Sequence, residues 1–269
     1  MHPIEHLRYV ARSHGSDPVE VALETAGAFS SLVNDPAGLV VAARRVVEHH
    51  PTNAPLWWMC ARVLTALDPR LELRHCVDAL QTDATSTHIV DALPDDSTVC
   101  IVGWNGHVVD ALTRRGDAFV LVIDSNGDGQ HALRYFDRHD VAAELVAPEG
   151  AGAAAEYSDI TIVSADACGR DSVLAPGGAL AIASVAYCTQ KPVWLVAGCG
   201  TRLADPLWDA VLAGARFRPD VWATGVDLVP LAVCSFVIGP DGMKPATSAS
   251  LAPECQHAPE LLRRSVAGA

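Results

Sequence analysis

The stretch TVCIVGWNGHVVDALTRRGDAFVLVID, residues 98–124, decides how this chain folds. TVCIVG is an apolar run too short for a helix, and it ends on a glycine. HVVDALTRRG carries apolar residues at helical spacing and stops at Gly116. AFVLVID is a second short apolar run. Continuous apolar strands that alternate with helices form a parallel sheet covered on both faces. The same grammar continues in AAELVA (142–147), ITIVSA (160–165), VWLVAG (193–198) and SFVIG (235–239). GQHALRYFDRHD, GALAIASVAYCTQ and PLWDAVLAG supply helices between several of them. The fold class is therefore α/β, with a Rossmann-like, mostly parallel sheet. Ligands on such sheets sit at the carboxyl ends of the strands. The loops to watch are 103–106, 124–129, 164–170 and 198–201.

The first 95 residues read differently. Asp17-Pro18, Asp35-Pro36 and Asp68-Pro69 are three copies of one helix start. Aspartate accepts a bond from an orphan N–H, and proline suits the first helical position. PAGLVVAARRVVEHH should end before Pro51, because a residue preceding proline avoids the α region. APLWWMCARVLTAL and STHIVDAL complete the set, and Trp57-Trp58 suit helix packing. The expected division is a helical domain over 1–95 and the α/β domain over 96–269. The segment APELLRRSV near the end is expected to form a short helix.

Composition excludes several classes of function. With 32 acidic against 19 basic residues the net charge is −13. Nucleic acids and anionic membranes need a basic face, so neither is expected as a partner. No apolar run is long enough to span a bilayer, and MHPIEHLRYVARSHG lacks the apolar core of a secretory signal. The eight cysteines form no C-x-x-C pair. This pattern suits reduced thiols in a cytoplasmic protein, with neither a structural metal nor a cofactor expected.

SNGDGQ follows the second strand, and with Asp124 it matches the start of a calcium loop, D-x-N-x-D-G. An EF-hand loop needs a preceding helix and a glutamate at its twelfth position. Here a strand precedes, and position twelve is Tyr135. The same residues serve a turn: Asn126-Gly127 reverses the chain, and Asp128 or Gly129 opens the next helix. Such a turn would also wall a ligand pocket with Asp124 and Asn126.

Five segments in order resemble one family, the alpha, beta and delta subunits of initiation factor 2B. That family includes isomerases of 5-methylthioribose 1-phosphate and ribose 1,5-bisphosphate. HPTNAPLWWM (50–59) is similar to the family's R-P-T-x-x-x-L-x-x-A, and IDSNGDGQHAL (123–133) falls at its E-x-R-P. IVSADACGRD (162–171) resembles its V-G-A-D strand end. LAPGGALAIASVAYCTQKPVWLVAG (174–198) resembles its N-K-x-G-T helix and P-x-Y-V-A strand. VDLVPLAVCSFVIGPDG (226–242) resembles its D-x-x-P and I-x-T-E-x-G close. The resemblance implies a sugar-phosphate pocket and association through the sheet domain, so a homodimer is expected.

The departures from the family bear on function. In the isomerases a cysteine and the aspartate of G-A-D move the protons. Asp166 matches that aspartate, but Gly103 stands at the cysteine, and Cys100 lies within the strand. His50 and Asn126 stand at the phosphate-gripping arginines, and Ala175-Pro176 at the Asn-Lys pair. Neutral side chains do not grip phosphate as arginine forks do. Asp166 remains the candidate acid or base, against a reading as an ordinary loop aspartate. Cys168 and Cys199 are candidates to replace the missing group, against a reading as packed thiols. Gly103, Asn105 and Gly106 open a helix whose N–H groups can cradle an anion, or simply make a tight turn. Gly177 and Gly178 open another helix at the same end. The expected partner is a small molecule, a sugar phosphate or a nucleotide. The reading is a non-catalytic ligand-binding, regulatory or assembly module; an isomerase with relocated groups is the alternative.

Overall fold

A computed structural model of the chain describes residues 17–215, 220 and 225–262. The opening segment 1–16 and the last four residues of APELLRRSV lie outside them. Two compact units form, one from residues 17–82, 200–215 and 253–262, the other from 83–199 and 225–252.

The first unit is helical. It holds α1 (Pro18–Phe29), α2 (Pro36–His49), α3 (Ala54–Thr65) and α4 (Pro69–Gln81). Two later segments join them, α10 (Asp205–Ala215) and α11 (Pro259–Leu262). The three Asp-Pro starts work as the local rules dictate. Asp17, Asp35 and Asp68 accept from the amides of Val19, Gly38 and Leu71 at 2.8, 3.0 and 3.0 Å. α2 stops at His49, ahead of Pro51. α3 is buried along nearly its whole length, Trp57 and Trp58 included.

The second unit begins with α5 (Thr85–Ala92) and then alternates strand and helix. Its strands and helices in order are β1 (Thr98–Val102), α6 (Gly106–Arg115), β2 (Phe119–Ile123), α7 (Asp128–Arg138), β3 (Ala143–Val146), α8 (Ala151–Tyr157) and β4 (Ile160–Ser164). The short strands β5 (Ala167–Cys168) and β6 (Ser172–Pro176) follow, then α9 (Ala179–Cys188), β7 (Val193–Val196), β8 (Val226–Pro230), β9 (Phe236–Gly239) and β10 (Gly242–Pro245). All six strands read as apolar runs lie in one seven-stranded sheet, ordered β10-β9-β7-β4-β1-β2-β3. Six strands run parallel, and β10 returns antiparallel on one edge.

The sequence reading did not include β5, β6, β8, β10 or α8. β5, β6 and β8 form a separate antiparallel sheet, and α8 forms from AGAAAEY. β6 ends on Pro176 and β5 has two residues, so neither shows a periodicity.

The central strands are buried on both faces. Below the sheet lies a core with Val99, Ile101, Val120, Ile162, Leu112 and Phe136. Phe136, on α7, is fully buried. Phe136→Ala should lower unfolding free energy by about 3–5 kcal/mol, as large aromatic truncations in cores do; urea unfolding measures it, and a loss below about 1 kcal/mol would contradict this packing.

Candidate functional site

β1, β2 and β3 step outward in one direction, and β4, β7 and β9 in the other. The order therefore reverses between β1 and β4, whose register pairs Cys100 with Thr161. A reversal of this kind opens a crevice at the carboxyl ends of the two strands. The loop after β1 begins at Gly103, and the loop after β4 carries Asp166.

Asp166 is half-buried, and its backbone N–H donates to Leu174 at 2.8 Å. Its carboxyl makes no hydrogen bond among the described residues. Loss of solvent pushes its pKa up to about 7 from an ordinary 3.8, and the charge of Asp128 adds to the effect. Asp128 opens α7, and its own pKa is raised. Desolvation is the larger cause; His131 opposes it and Asp124 reinforces it. The carboxyls of residues 124, 128 and 166 thus act on one another in sequence.

The loops meet through close backbone approaches. Gly103 has φ +61°, and a Cβ there would lie 3.4 Å from that of Asp128. Its N–H donates to Ile123 at 2.9 Å. Trp104 packs edge-on to His131 and Tyr135 of α7, with ring centres 4.4 and 5.2 Å away, and so ties the β1 loop to that helix. Asn126 sits at φ 55° and Gly127 at φ 91°, making the turn read from the sequence. The Asn126 amide fills the space beside Gly225, whose carbonyl accepts from Gly177 at 2.8 Å.

Several candidate ligand donors are engaged within the chain. Asn105 accepts from Val108 at 3.2 Å and caps α6. Asp124 accepts from Gly129 at 3.0 Å. The amides of Gly178 and Leu180 both donate to Asp227, each at 2.9 Å. Gly178 therefore does not offer its N–H to an anion. Gly106 is the first residue of α6. Among the described residues no three His, Cys, Asp or Glu side chains converge to hold a metal ion.

The candidate cysteines are buried. Cys168 is fully buried in β5, packed with Val163, Val173 and Val229. Cys199 is buried too, and its N–H donates to Asp83 at 2.7 Å. Cys100 is buried within β1, and desolvation pushes its thiol up to about 12. The sequence reading missed Asp227 as a helix cap and Asp128 as a partner of Asp166. The first acts across 47 residues on α9, with no local signal. The second is visible only once β1, β2 and β4 lie side by side. An open groove at the opposite end of the strands, lined by Asp159, Trp194, Phe236 and Met243 among others, holds none of these groups.

No family model matches the chain, and no curated protein does. Solved structures do. The Pyrococcus horikoshii OT3 translation initiation factor eIF-2B matches with a TM-score of 0.73 at 15% identity, over 90% of this chain and 96% of that one. For eIF2B beta from Chaetomium thermophilum the TM-score is 0.70 at 15% identity, over 93% and 89%. A chain of the tetrameric eIF2B-beta2-delta2 complex from C. thermophilum gives 0.72 at 16%, over 93% and 91%. The chain has the fold of the initiation factor 2B subunits. The five motifs thus pointed to the family whose fold is observed. Among the described residues no helix is long and apolar enough to cross a membrane.

The Asp166 pKa makes stability depend on pH. The folded chain holds this proton up to about pH 7, whereas an unfolded aspartate releases it near 3.9. Below about pH 4 the group costs nothing. As pH rises from 4 to 7 the unfolded chain gains from ionising this carboxyl while the folded chain keeps it protonated, so its effect on folding becomes progressively unfavourable and levels off above 7. Asp166→Asn should therefore be about 4 kcal/mol more stable than the parent at pH 8 and no more stable at pH 4. Urea unfolding at the two pH values checks this, and a difference independent of pH would contradict it.

Proposed function

We propose that this chain is a small-ligand-binding module of the initiation factor 2B fold, with its pocket at the reversal between β1 and β4. One observation carries the reading. Three interacting carboxyls, Asp124, Asp128 and Asp166, stand at the crevice, and among the described residues no basic group lowers the pKa of Asp166. A bisphosphate would meet repulsion there. A less charged ligand with hydroxyl groups would find acceptors, and Asp166, protonated near neutrality, would also donate. In this reading the family pocket persists in outline while its phosphate chemistry is gone, and the chain works by binding, regulation or assembly in the cytoplasm. C. thermophilum beta and delta subunits form a tetramer; for this chain a homodimer is proposed by analogy.

The pKa of Asp166 favours a second reading. A carboxyl that titrates near neutrality suits an acid or base that moves a proton between two carbons. That reading is an aldose-ketose isomerase with relocated groups, in which Asp166 takes up and returns one proton.

Thermal unfolding against uncharged pentoses, sugar phosphates and nucleoside monophosphates separates the possibilities. A ligand at a hundred times its dissociation constant adds about 2.7 kcal/mol, a shift of a few degrees in a chain of this size. Uncharged pentoses should give the shift, and Asp166→Asn should abolish it. A shift confined to the phosphorylated compounds would overturn the proposed specificity. Turnover of a pentose that Asp166→Asn removes would select the isomerase.

A further inference from the structure

A second constellation lies in the α/β unit, built from α5, the start of α6 and the loop after β7. Asp83 precedes α5, and its side chain is 4% exposed. One carboxylate oxygen accepts from the amide and hydroxyl of Thr85 at 2.8 and 2.5 Å. The other accepts from the Cys199 amide at 2.7 Å and faces His107 Nε2 at 3.3 Å. A carboxylate so placed holds the imidazole with its proton on Nε2 and its lone pair on Nδ1. That lone pair faces the Ser86 hydroxyl at 3.5 Å. Gly198 makes the arrangement possible, because a Cβ there would fall 2.6 Å from His107 Nε2.

Ser86 is the second residue of α5, a helix of eight residues. The Thr85 amide is taken by Asp83 and the His88 amide by Ala84. Between them, the amides of Ser86 and Thr87 have no acceptor among the described residues. Hydroxyl, imidazole and carboxylate thus stand in the order of a nucleophile, its base and the group that orients the base, with two N–H donors beside the nucleophile. Ser86 is 9% exposed and the His107 side chain 25%, so the imidazole side opens to solvent.

We propose that Ser86, His107 and Asp83 form an acyl-transfer site that takes small activated esters or thioesters. The Ser86 oxygen bonds to the carbonyl carbon while its proton passes to His107 Nδ1. The carbonyl electron pair moves onto its oxygen, held by the Ser86 and Thr87 amides. Collapse restores the carbonyl and breaks the bond to the leaving group, which departs with the proton from His107. Water repeats the cycle on the acyl-serine, releases the carboxylic acid and restores the hydroxyl. Asp83 is a positioning residue in this scheme, because it touches the imidazole, Thr85 and the Cys199 amide but not the reacting atoms. The site shares no side chain with the Asp166 pocket.

Treating the full chain with a fluorophosphonate and mapping the adduct by mass spectrometry tests the assignment. A single adduct on Ser86 is expected, lost in Ser86→Ala and formed about 100-fold or more slowly in His107→Gln. Asp83→Asn, which offers the imidazole a donor where the carboxylate was, should slow labelling while Asp166→Asn leaves it unchanged. The parent should also hydrolyse p-nitrophenyl acetate, with that activity lost in Ser86→Ala. No adduct on Ser86 of the folded parent, or an adduct formed at the same rate in His107→Gln, would overturn the proposal. Because the first readout is on the unaltered chain, a variant that fails to fold does not obscure the result. Failure here leaves the pocket at Asp166 untouched, and success does not depend on it.

Discussion

Strand β1 is the constraint on which the α/β unit depends. It pairs with β2 on one side and β4 on the other, and every residue from Val99 to Val102 is buried. A strand so enclosed has no edge for water, and its side chains must be apolar on both faces. The connections leaving its two neighbours run in opposite directions. The crevice expected at its carboxyl end is a consequence of strand order rather than of any one side chain. Asp166 reaches the mouth of that crevice because β4 ends at Ser164. Its desolvation follows from standing at the end of a covered sheet, and its raised pKa follows from the desolvation.

The initiation factor 2B fold places several helix N-termini around this end of the sheet, and helix N-termini favour anions by dipole and by unpaired N–H groups. In this chain side chains of its own occupy much of that capacity. Asn105 serves α6, Asp124 serves α7, and Asp227 serves α9. Two of those three are themselves anions. Carboxylates at these N-termini oppose the attraction that the helix ends alone would exert on an anionic ligand. Fold and function separate at this level, since a few carboxylates decide what the same scaffold can hold.

Much of this was legible in the sequence because the physics was local. Six apolar runs became the parallel strands, and three Asp-Pro pairs became helix starts, since each depends only on neighbours along the chain. The turn at Asn126-Gly127 was legible for the same reason. Asp166 was placed by resemblance and by its position after a strand. The antiparallel trio β5, β6 and β8 was not legible, because strands of two to five residues, two of them ending on proline, are too short to carry a period. The cap of α9 was hidden because Asp227 lies 47 residues from Leu180. The pairing of His107 with Asp83 was hidden in the same way, and Ser86 read as one more polar residue in a helix.

The junction between β1 and α6 links the two sets of charged groups in the α/β unit. Gly103 turns with φ +61° so that the chain passes against Asp128, and four residues later His107 meets Asp83. Between them, Trp104 packs against α7 and Asn105 caps α6. A non-glycine residue at 103 would be strained at that φ and would crowd the Asp128 side chain. Relief of that strain by movement of the loop would also shift the first turn of α6, and with it the approach of His107 to Asp83. Gly103 therefore has a structural reason to be glycine here. It sets the distance from β1 to Asp128 on one side and the angle at which His107 is presented on the other.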